Sequence, residues 1–384
     1  MKKRVAILVG VRTPYREPLF ERLAASDQYE TLVLYCREKQ PGQNWLLREP
    51  SYPAVYLKNY APRCWDGRLV IGAINPGVMR ALSNFKPDVV VVYGYNSISP
   101  LLGILWAGFR KIPLLLRSDS NALDEPGKSR LLLALKKPFL RWLTERAAAF
   151  LAIGTLNRLY WLKYGAAPER ILLGRYAVDN DYFQTQAASY GGARQRIRDE
   201  KGWKQPYLVL YVGRLVPCKR VDLVIEAMRR LSAKRSDIAL LIVGEGVERK
   251  ALERRAQALP QVFFLGFQDY GDLPKYYGVA DLFVLPSETE PWGLVVNEAM
   301  ASGLPVIATR KVGAAHDLIT EGENGYLVPE NDVEAMASAI DQACQSKERL
   351  RALGERSQQS VASWNYHATL EGFHRALDYC FHAK

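Results

Sequence analysis

What most constrains this chain is an alternation of two kinds of segment. Short apolar runs rich in Val, Ile and Leu recur between longer stretches whose apolar residues have helical spacing. The first series is VAILVG (5–10), TLVLYC (31–36), VVVVYG (89–94), PLLLRS (113–118) and FLAIGT (150–155). A second series restarts with YLVLYVG (207–213), IALLIVG (238–244), VFFLG (262–266), LFVLPS (282–287) and PVIAT (305–309). Alternation of this kind is the pattern of βαβ units feeding parallel sheets, so the expected class is α/β with two doubly wound sheets.

Between the series, residues 184–205 are polar, carry the Gly191-Gly192 pair and contain no buried-strand run. A linker is therefore expected at 186–205, separating a first domain (1–185) from a second (206–364). In 365–384, Leu370, Phe373, Leu377 and Phe381 recur at spacings of three and four. That is a helix with one apolar face, able to pack back on the N-terminal domain.

Charge divides along the same line. Of 52 Lys and Arg and 40 Asp and Glu, residues 1–185 hold 27 and 15, so the whole net charge of +12 lies there and the remainder is neutral. Such an excess steers anionic partners without specifying a fold: a nucleic acid, a membrane surface or an anionic substrate. No nucleic-acid recognition module accompanies it, so nucleic acid is not expected as a partner. With 48% hydrophobic and 24% charged residues, the chain is neither disordered nor of low complexity.

Cys36, Cys64, Cys218, Cys344 and Cys380 are odd in number and scattered without a CxxC pair. Neither a disulfide framework nor a zinc site is suggested, and a reducing cytoplasm fits best. The start, MKKRVAILVGVRTPYR, superficially resembles a signal peptide, but its apolar part is short and lacks a cleavage site. It reads as a first strand. The longest uninterrupted apolar stretch, Leu101 to Phe109, is far shorter than the roughly 20 residues that span a bilayer.

Two strand-to-helix turns carry the strongest candidates for chemistry. In PSETEPWGLVVNEAMASGLPVIAT (286–309) a strand ends at Pro286, a helix starts near Trp292-Gly293, and Glu290 and Glu298 are separated by seven residues. Ligands in parallel α/β sheets bind outside the carboxyl ends of strands, where helix N-termini offer free N–H groups. Alone, the pair also fits a carboxylate complementing a helix dipole and a solvated helix residue. In YVGRLVPCKRVDLVIEAM (211–228), Gly213 allows a tight exit and Arg214 and Lys219 occupy the loop. Two cations there suit the dianion of a departing diphosphate, or are simply solvated.

Together these stretches resemble the signature of retaining glycosyltransferases of family four, with their paired glutamates, EAMASGLPVIA run and GR…K motif. The resemblance covers residues 205–345, with a looser match at RYAVDNDYF (175–183). It implies the GT-B architecture, two Rossmann-like domains facing a cleft. It also implies catalytic roles for Glu290 on the donor sugar and for Arg214 and Lys219 on the diphosphate, with Glu298 on the ribose. Gly213, Gly244, Gly266, Phe267, Ser287, Trp292, Gly293, Leu294 and Val295 would complete the donor site. The region after the signature, Gly313 to Ala315, would bring backbone N–H groups to sugar or phosphate.

The chain departs from the family in places. Pro291-Trp292 replaces the commoner Gly-Phe, and Arg220 stands where many relatives have glycine. The four histidines, His316, His367, His374 and His382, all fall in the second half, so the family's first-domain histidine has no counterpart. Asp119, in LLLRSDSNALDE (114–125), is the substitute, with a capping aspartate as the alternative. In GVRTPYREPLFERLA (10–24), Tyr15 and Arg16 are available to an acceptor or a phosphate, or have a capping role.

GKSRLLLALKKPFLRWLTERA (127–147) interleaves Lys128, Arg130, Lys136, Lys137, Arg141 and Arg146 with leucines and aromatics, and Pro138 predicts a kink. It reads as an interfacial helix, or as a crossover helix with a solvated basic face.

The function expected is retaining transfer of a sugar from a nucleotide-diphosphate sugar to a lipid-linked saccharide or glycolipid of cell-surface polysaccharide biosynthesis. The enzyme would work in the cytoplasm against an anionic membrane surface. No metal or other cofactor is expected. An epimerase or inverting transferase on the same fold, or a non-catalytic nucleotide-sugar-binding subunit, are the alternatives.

Overall fold

The computed structural model describes residues 2–38, 45, 48–61, 72–123 and 130–382. The chain forms two compact units, Met1–Arg175 with Tyr366–Lys384, and Tyr176–Asn365.

Among the described residues, the first unit is built on seven parallel strands: β1 (Lys3–Val11), β2 (Tyr29–Arg37), β3 (Ala54–Tyr56), β4 (Val89–Tyr93), β5 (Leu114–Arg117), β6 (Ala149–Ala152) and β7 (Ile171–Leu173). Their order is β3-β2-β1-β4-β5-β6-β7. Val5 to Val9 and Val89 to Val92 are buried because helices cover both faces of the sheet. The chain winds outward from β1, then returns to start again at β4. The point of reversal lies between β1 and β4, and the loops leaving those strands carry Tyr15, Arg16 and Tyr95.

The second unit repeats the plan with β8 (Tyr207–Val212), β9 (Ile238–Val243), β10 (Val262–Gly266), β11 (Leu282–Leu285), β12 (Val306–Thr309) and β13 (Gly325–Val328), in the order β10-β9-β8-β11-β12-β13. Here the reversal lies between β8 and β11. Those two strands deliver the Arg214–Lys219 loop and the Ser287–Glu290 loop side by side, where open α/β sheets place ligands.

All ten expected strands form. Three short ones were not expected: β3, β7 and β13, of three or four residues each.

The expected linker is corrected. Most of residues 186–205 fall on two helices, Asn180–Gly192 and Arg194–Lys201, and the units part at Arg175 and Tyr176 instead of at 185. Phe183 and Ala187 are buried, and Phe183 meets the Tyr277 ring edge-on at 5.8 Å. Arg198 is buried and donates to the Asp281 carboxylate at 2.7 Å and to the Val279 carbonyl. Asp281 also takes Lys347 at 2.6 Å and the N–H of Leu208 at 2.7 Å. Burial pushes the Asp281 carboxyl up, but Arg194, Arg198 and Lys347 outweigh it and hold it below its ordinary value. A polar stretch thus folds around one buried carboxylate.

The last helix, Tyr366–His382, belongs to the first unit. It buries Phe373, Ala376, Leu377 and Cys380, and the Thr369 hydroxyl donates to the Arg175 carbonyl at 2.6 Å. Gly372 brings it close: a Cβ there would overlap the Leu173 carbonyl. Phe381 stacks on Tyr29 with ring centres 6.1 Å apart.

The basic segment expected at 127–147 is a helix over Arg130–Arg146 that runs through Pro138; Lys128 lies outside the described residues. Leu140 and Leu143 are buried, Lys136 sits 5.1 Å from the centre of the Tyr160 ring, and Lys137, Arg141 and Arg146 are exposed.

Candidate active site

The second unit gathers most of the expected donor residues at the carboxyl ends of β8, β9, β10 and β11. After β8 the chain turns at Gly213, whose N–H donates to the Val243 carbonyl at 3.0 Å. The Gly244 N–H donates to the Gly266 carbonyl at 2.8 Å, so the three glycines form a row across neighbouring strand ends. Phe267, beside the last of them, is exposed.

The loops after β8 and β11 are joined twice. The Glu288 N–H donates to the Cys218 carbonyl at 2.9 Å. Lys219 and Glu290, half-buried, form an ion pair with the ammonium in contact with the carboxylate. Arg214 is exposed on the same loop, and its carbonyl accepts the Tyr211 hydroxyl at 3.0 Å. Burial draws the Lys219 ammonium down to about 8, and the charge of Arg214 pulls it the same way. The Glu290 carboxylate in contact with it favours the charged form. Arg214, Lys219 and Glu290, distant in sequence, therefore make one electrostatic unit.

Glu290 is fixed through its backbone. Its N–H donates to the Lys311 carbonyl at 3.2 Å, and its own carbonyl accepts the Gly313 N–H at 2.9 Å. Three residues on, Gly293 takes the left-handed φ of +93° and opens the helix Leu294–Ala301. The conformation favours glycine, and a Cβ there would come within 3.1 Å of Glu290 Cγ and press on that side chain. The first-turn N–H groups of Leu294 and Val295 have no acceptor inside that helix and are directed at its N-terminal end.

Glu298, on the same helix, is 4% exposed and accepts the Tyr277 hydroxyl at 2.7 Å. Burial raises its carboxyl to about 7, the Tyr277 bond opposing. Tyr277 was not singled out from sequence: in LPKYYGVAD it reads as one more aromatic on a helix.

Several expectations need correction. The Trp292 side chain is turned into the core: it is buried, stacks on Trp364 with ring centres 4.9 Å apart, and donates its indole N–H to Asn297 Oδ1 at 2.9 Å. Asn297 in turn donates to the Tyr176 carbonyl at 3.1 Å. The indole anchors the signature loop from behind. The N–H groups of Gly313 and Ala314 are already given to the carbonyls of Glu290 and Trp292, and that of Ala315 to Val312, so they hold the loop together instead of being offered to a sugar or phosphate. Ser287 is fully buried, with its carbonyl taken by the Thr309 hydroxyl and its own Oγ unbonded. Arg220 is partly exposed and paired. It has the left-handed φ of 49° that explains a preference for glycine, and it clasps Asp222 at 3.0 and 3.1 Å.

In the first unit, Arg16 and Asp119 lie 3.6 Å apart, and the Arg16 guanidinium sits 5.3 Å from the centre of the Tyr93 ring. Arg117, buried and not singled out from sequence, lies 5.5 Å from the same ring. Tyr15 presents its ring edge-on to Trp45 at 6.3 Å, and its carbonyl accepts the Tyr366 hydroxyl.

Residues 193–360 match the family model of glycosyl transferases group 1. A sulfoquinovosyl transferase of Arabidopsis thaliana is 28% identical over 310 residues, which are 77% of this chain and 57% of that one. A GDP-mannose-dependent phosphatidylinositol monomannoside mannosyltransferase of Mycolicibacterium smegmatis is 34% identical over 187 residues, 46% of this chain and 48% of the other. The chain spans about half the length of the curated relatives it matches. Anabaena HepE, solved with UDP and glucose, superposes with a TM-score of 0.74 at 19% identity, covering 97% of this chain and 99% of that one. The lipopolysaccharide glycosyltransferase WaaG superposes at 0.68 with 20% identity, covering 94% and 95%. These superpositions and the two parallel sheets establish the GT-B fold. The segment that matches the glycosyl transferases group 1 model, 193–360, is the one that holds Arg214, Lys219, Glu290 and Glu298.

Proposed function

We propose that the chain is a retaining glycosyltransferase that moves a sugar from a nucleotide-diphosphate sugar to an acceptor hydroxyl on a lipid-linked saccharide or glycolipid at an anionic membrane. The observation that carries this reading is the contact of Lys219 with Glu290 beside Arg214, at the switch point between β8 and β11. A diphosphate arriving at this loop meets two cations. As it takes Lys219, it releases Glu290 toward the sugar hydroxyls, so the leaving group's charge and the sugar's orientation are set together.

The acceptor oxygen bonds to the anomeric carbon as the bond to the diphosphate breaks, and the departing phosphate takes the acceptor's proton. No protein nucleophile is needed. Glu298, backed by Tyr277, accepts from the ribose hydroxyls. The relative named for mannosyl transfer to phosphatidylinositol monomannoside supports a lipid acceptor.

Two substitutions test these roles. Glu290→Ala should abolish transfer while largely preserving nucleotide affinity measured by calorimetry. Lys219→Ala should lower kcat by about 10²–10³ and weaken nucleotide binding as well, the scale of losing one donor to a developing charge. Unchanged turnover in either variant rejects its role, and the anomeric configuration of the product, read by NMR, distinguishes retention from inversion. Because two side-chain cations serve the diphosphate, transfer should survive EDTA; a stoichiometric requirement for manganese would overturn that part.

A further inference from the structure

Helix Ile98–Phe109 carries an apolar stripe on its outer side as well as its inner one. Ser99, Pro100, Gly103, Ile104 and Ala107 are buried against the sheet. Outward, Leu105 and Phe109 lie one turn apart, 53% and 86% exposed. Soluble surfaces scatter single apolar residues, but a leucine and a phenylalanine exposed one turn apart on a helix without one acidic residue suit a partner. Met79, also exposed, widens the patch from the neighbouring helix Gly77–Phe85, which Trp106 joins through its indole N–H to Ser83 Oγ at 3.1 Å.

The rim of this patch is basic. Arg110 and Lys111 follow the helix directly and are exposed, with Arg110 6.0 Å from the centre of the Trp106 ring. Arg146 reaches in from the basic helix: a Cβ on Gly108 would lie 3.5 Å from its Nη1, and its guanidinium stacks 4.9 Å from Trp142. The unit carrying the patch, residues 1–175 with 366–384, holds 29 Lys and Arg against 15 Asp and Glu. A second copy seated here would set like charge against like. An apolar stripe rimmed by arginine, lysine and tryptophan matches an anionic bilayer, whose acyl boundary takes the stripe and whose headgroups take the rim.

We propose that helix Ile98–Phe109 docks the chain on an anionic membrane, with Leu105 and Phe109 entering the acyl boundary and Arg110, Lys111 and Arg146 at the headgroups. This rests on the membrane partner in the reading above and names the surface that meets it.

Co-sedimentation of the full chain tests it, with vesicles of phosphatidylcholine alone and of phosphatidylcholine mixed with phosphatidylglycerol. The wild type should partition onto the mixed vesicles. The double substitution Leu105→Ser with Phe109→Ser should lower that partitioning at least about tenfold, the scale of one exposed aromatic and one leucine withheld from an apolar phase. Both side chains are exposed, so the melting temperature and the thermal shift given by a nucleotide should not change. Arg110→Glu with Lys111→Glu should remove the preference for phosphatidylglycerol. Wild-type partitioning by the double serine variant overturns the assignment of this helix alone. A wild type that binds neither vesicle overturns the membrane partner too, while transfer to a soluble acceptor still reads the glycosyltransferase activity separately. A concentration-dependent dimer in sedimentation, lost in the serine variant and unaccompanied by vesicle binding, overturns the proposal in favour of self-association.

Discussion

Lys219 and Glu298 are both pushed toward neutral pH, from opposite sides. Glu298 is raised from 4.5 to about 7 by burial, and Lys219 is lowered from 10.5 to about 8 by the same cause. A ribose acceptor must be ionised and a diphosphate clamp must be cationic, so both work together only between the two values. For the donor, kcat/KM should fall as pH drops through about 7 and again as pH rises through about 8, a bell read in initial rates at low donor concentration. Glu298→Gln, whose amide oxygen still accepts from Tyr277, should flatten the acidic limb. The same substitution has a stability signature. A carboxyl raised on folding contributes fully below its unfolded value and loses that contribution as pH rises through about 7. The variant should therefore gain in melting temperature over the wild type at pH 8 and not at pH 4. An unaltered difference across that range would show that burial does not penalise the charge. At this scale the sequence displays the acids and bases but not their partners. Glu298 and Tyr277 meet only because two helices fold over one strand end, and Trp292, placed among ligand contacts by its motif, proves to be an anchor on Trp364.

At the scale of elements, ten strands are legible because each is a continuous apolar run, the only pattern that survives burial on both faces. β3 and β7 are not: AVY and ILL are too short for any periodicity, and only pairing with β2 and β6 makes them strands. The polar stretch 184–205 misleads for a different physical reason. Helices Asn180–Gly192 and Arg194–Lys201 bury few apolar side chains, and much of their hold is Arg198 and Arg194 on Asp281. Buried ionic anchors have no hydrophobic signature. Their loss should nonetheless be large, because removing the acid strands arginine and lysine around an apolar pocket. Asp281→Asn should destabilise the second unit by about 3–5 kcal/mol. Denaturant unfolding checks this, and a cost below about 1 kcal/mol, the surface-pair range, would mean that these helices are held by packing alone.

For the whole molecule, the observed boundaries sharpen the charge division seen in the sequence. The first unit carries 29 basic against 15 acidic residues and the second 23 against 25, so the excess is +14 on one side and −2 on the other. The C-terminal helix returns to the first unit, which makes that unit discontinuous and leaves the second as one uninterrupted segment with its own sheet and core. Folding autonomy should follow this topology. Residues 176–365, expressed alone, should unfold cooperatively and bind a nucleoside diphosphate through Arg214, Lys219 and Glu298, without transferring sugar. Residues 1–175 alone should be aggregation-prone, because the face that receives Phe373, Leu377 and Cys380 is then open to water. Restoring 366–384 through a short flexible linker should recover a cooperative melt. If 1–175 melts cooperatively and stays monomeric without that helix, the helix is an accessory to the first unit and its return has another cause. If 176–365 folds but binds no nucleotide, the donor site takes an essential group from outside the segment that carries all its motifs.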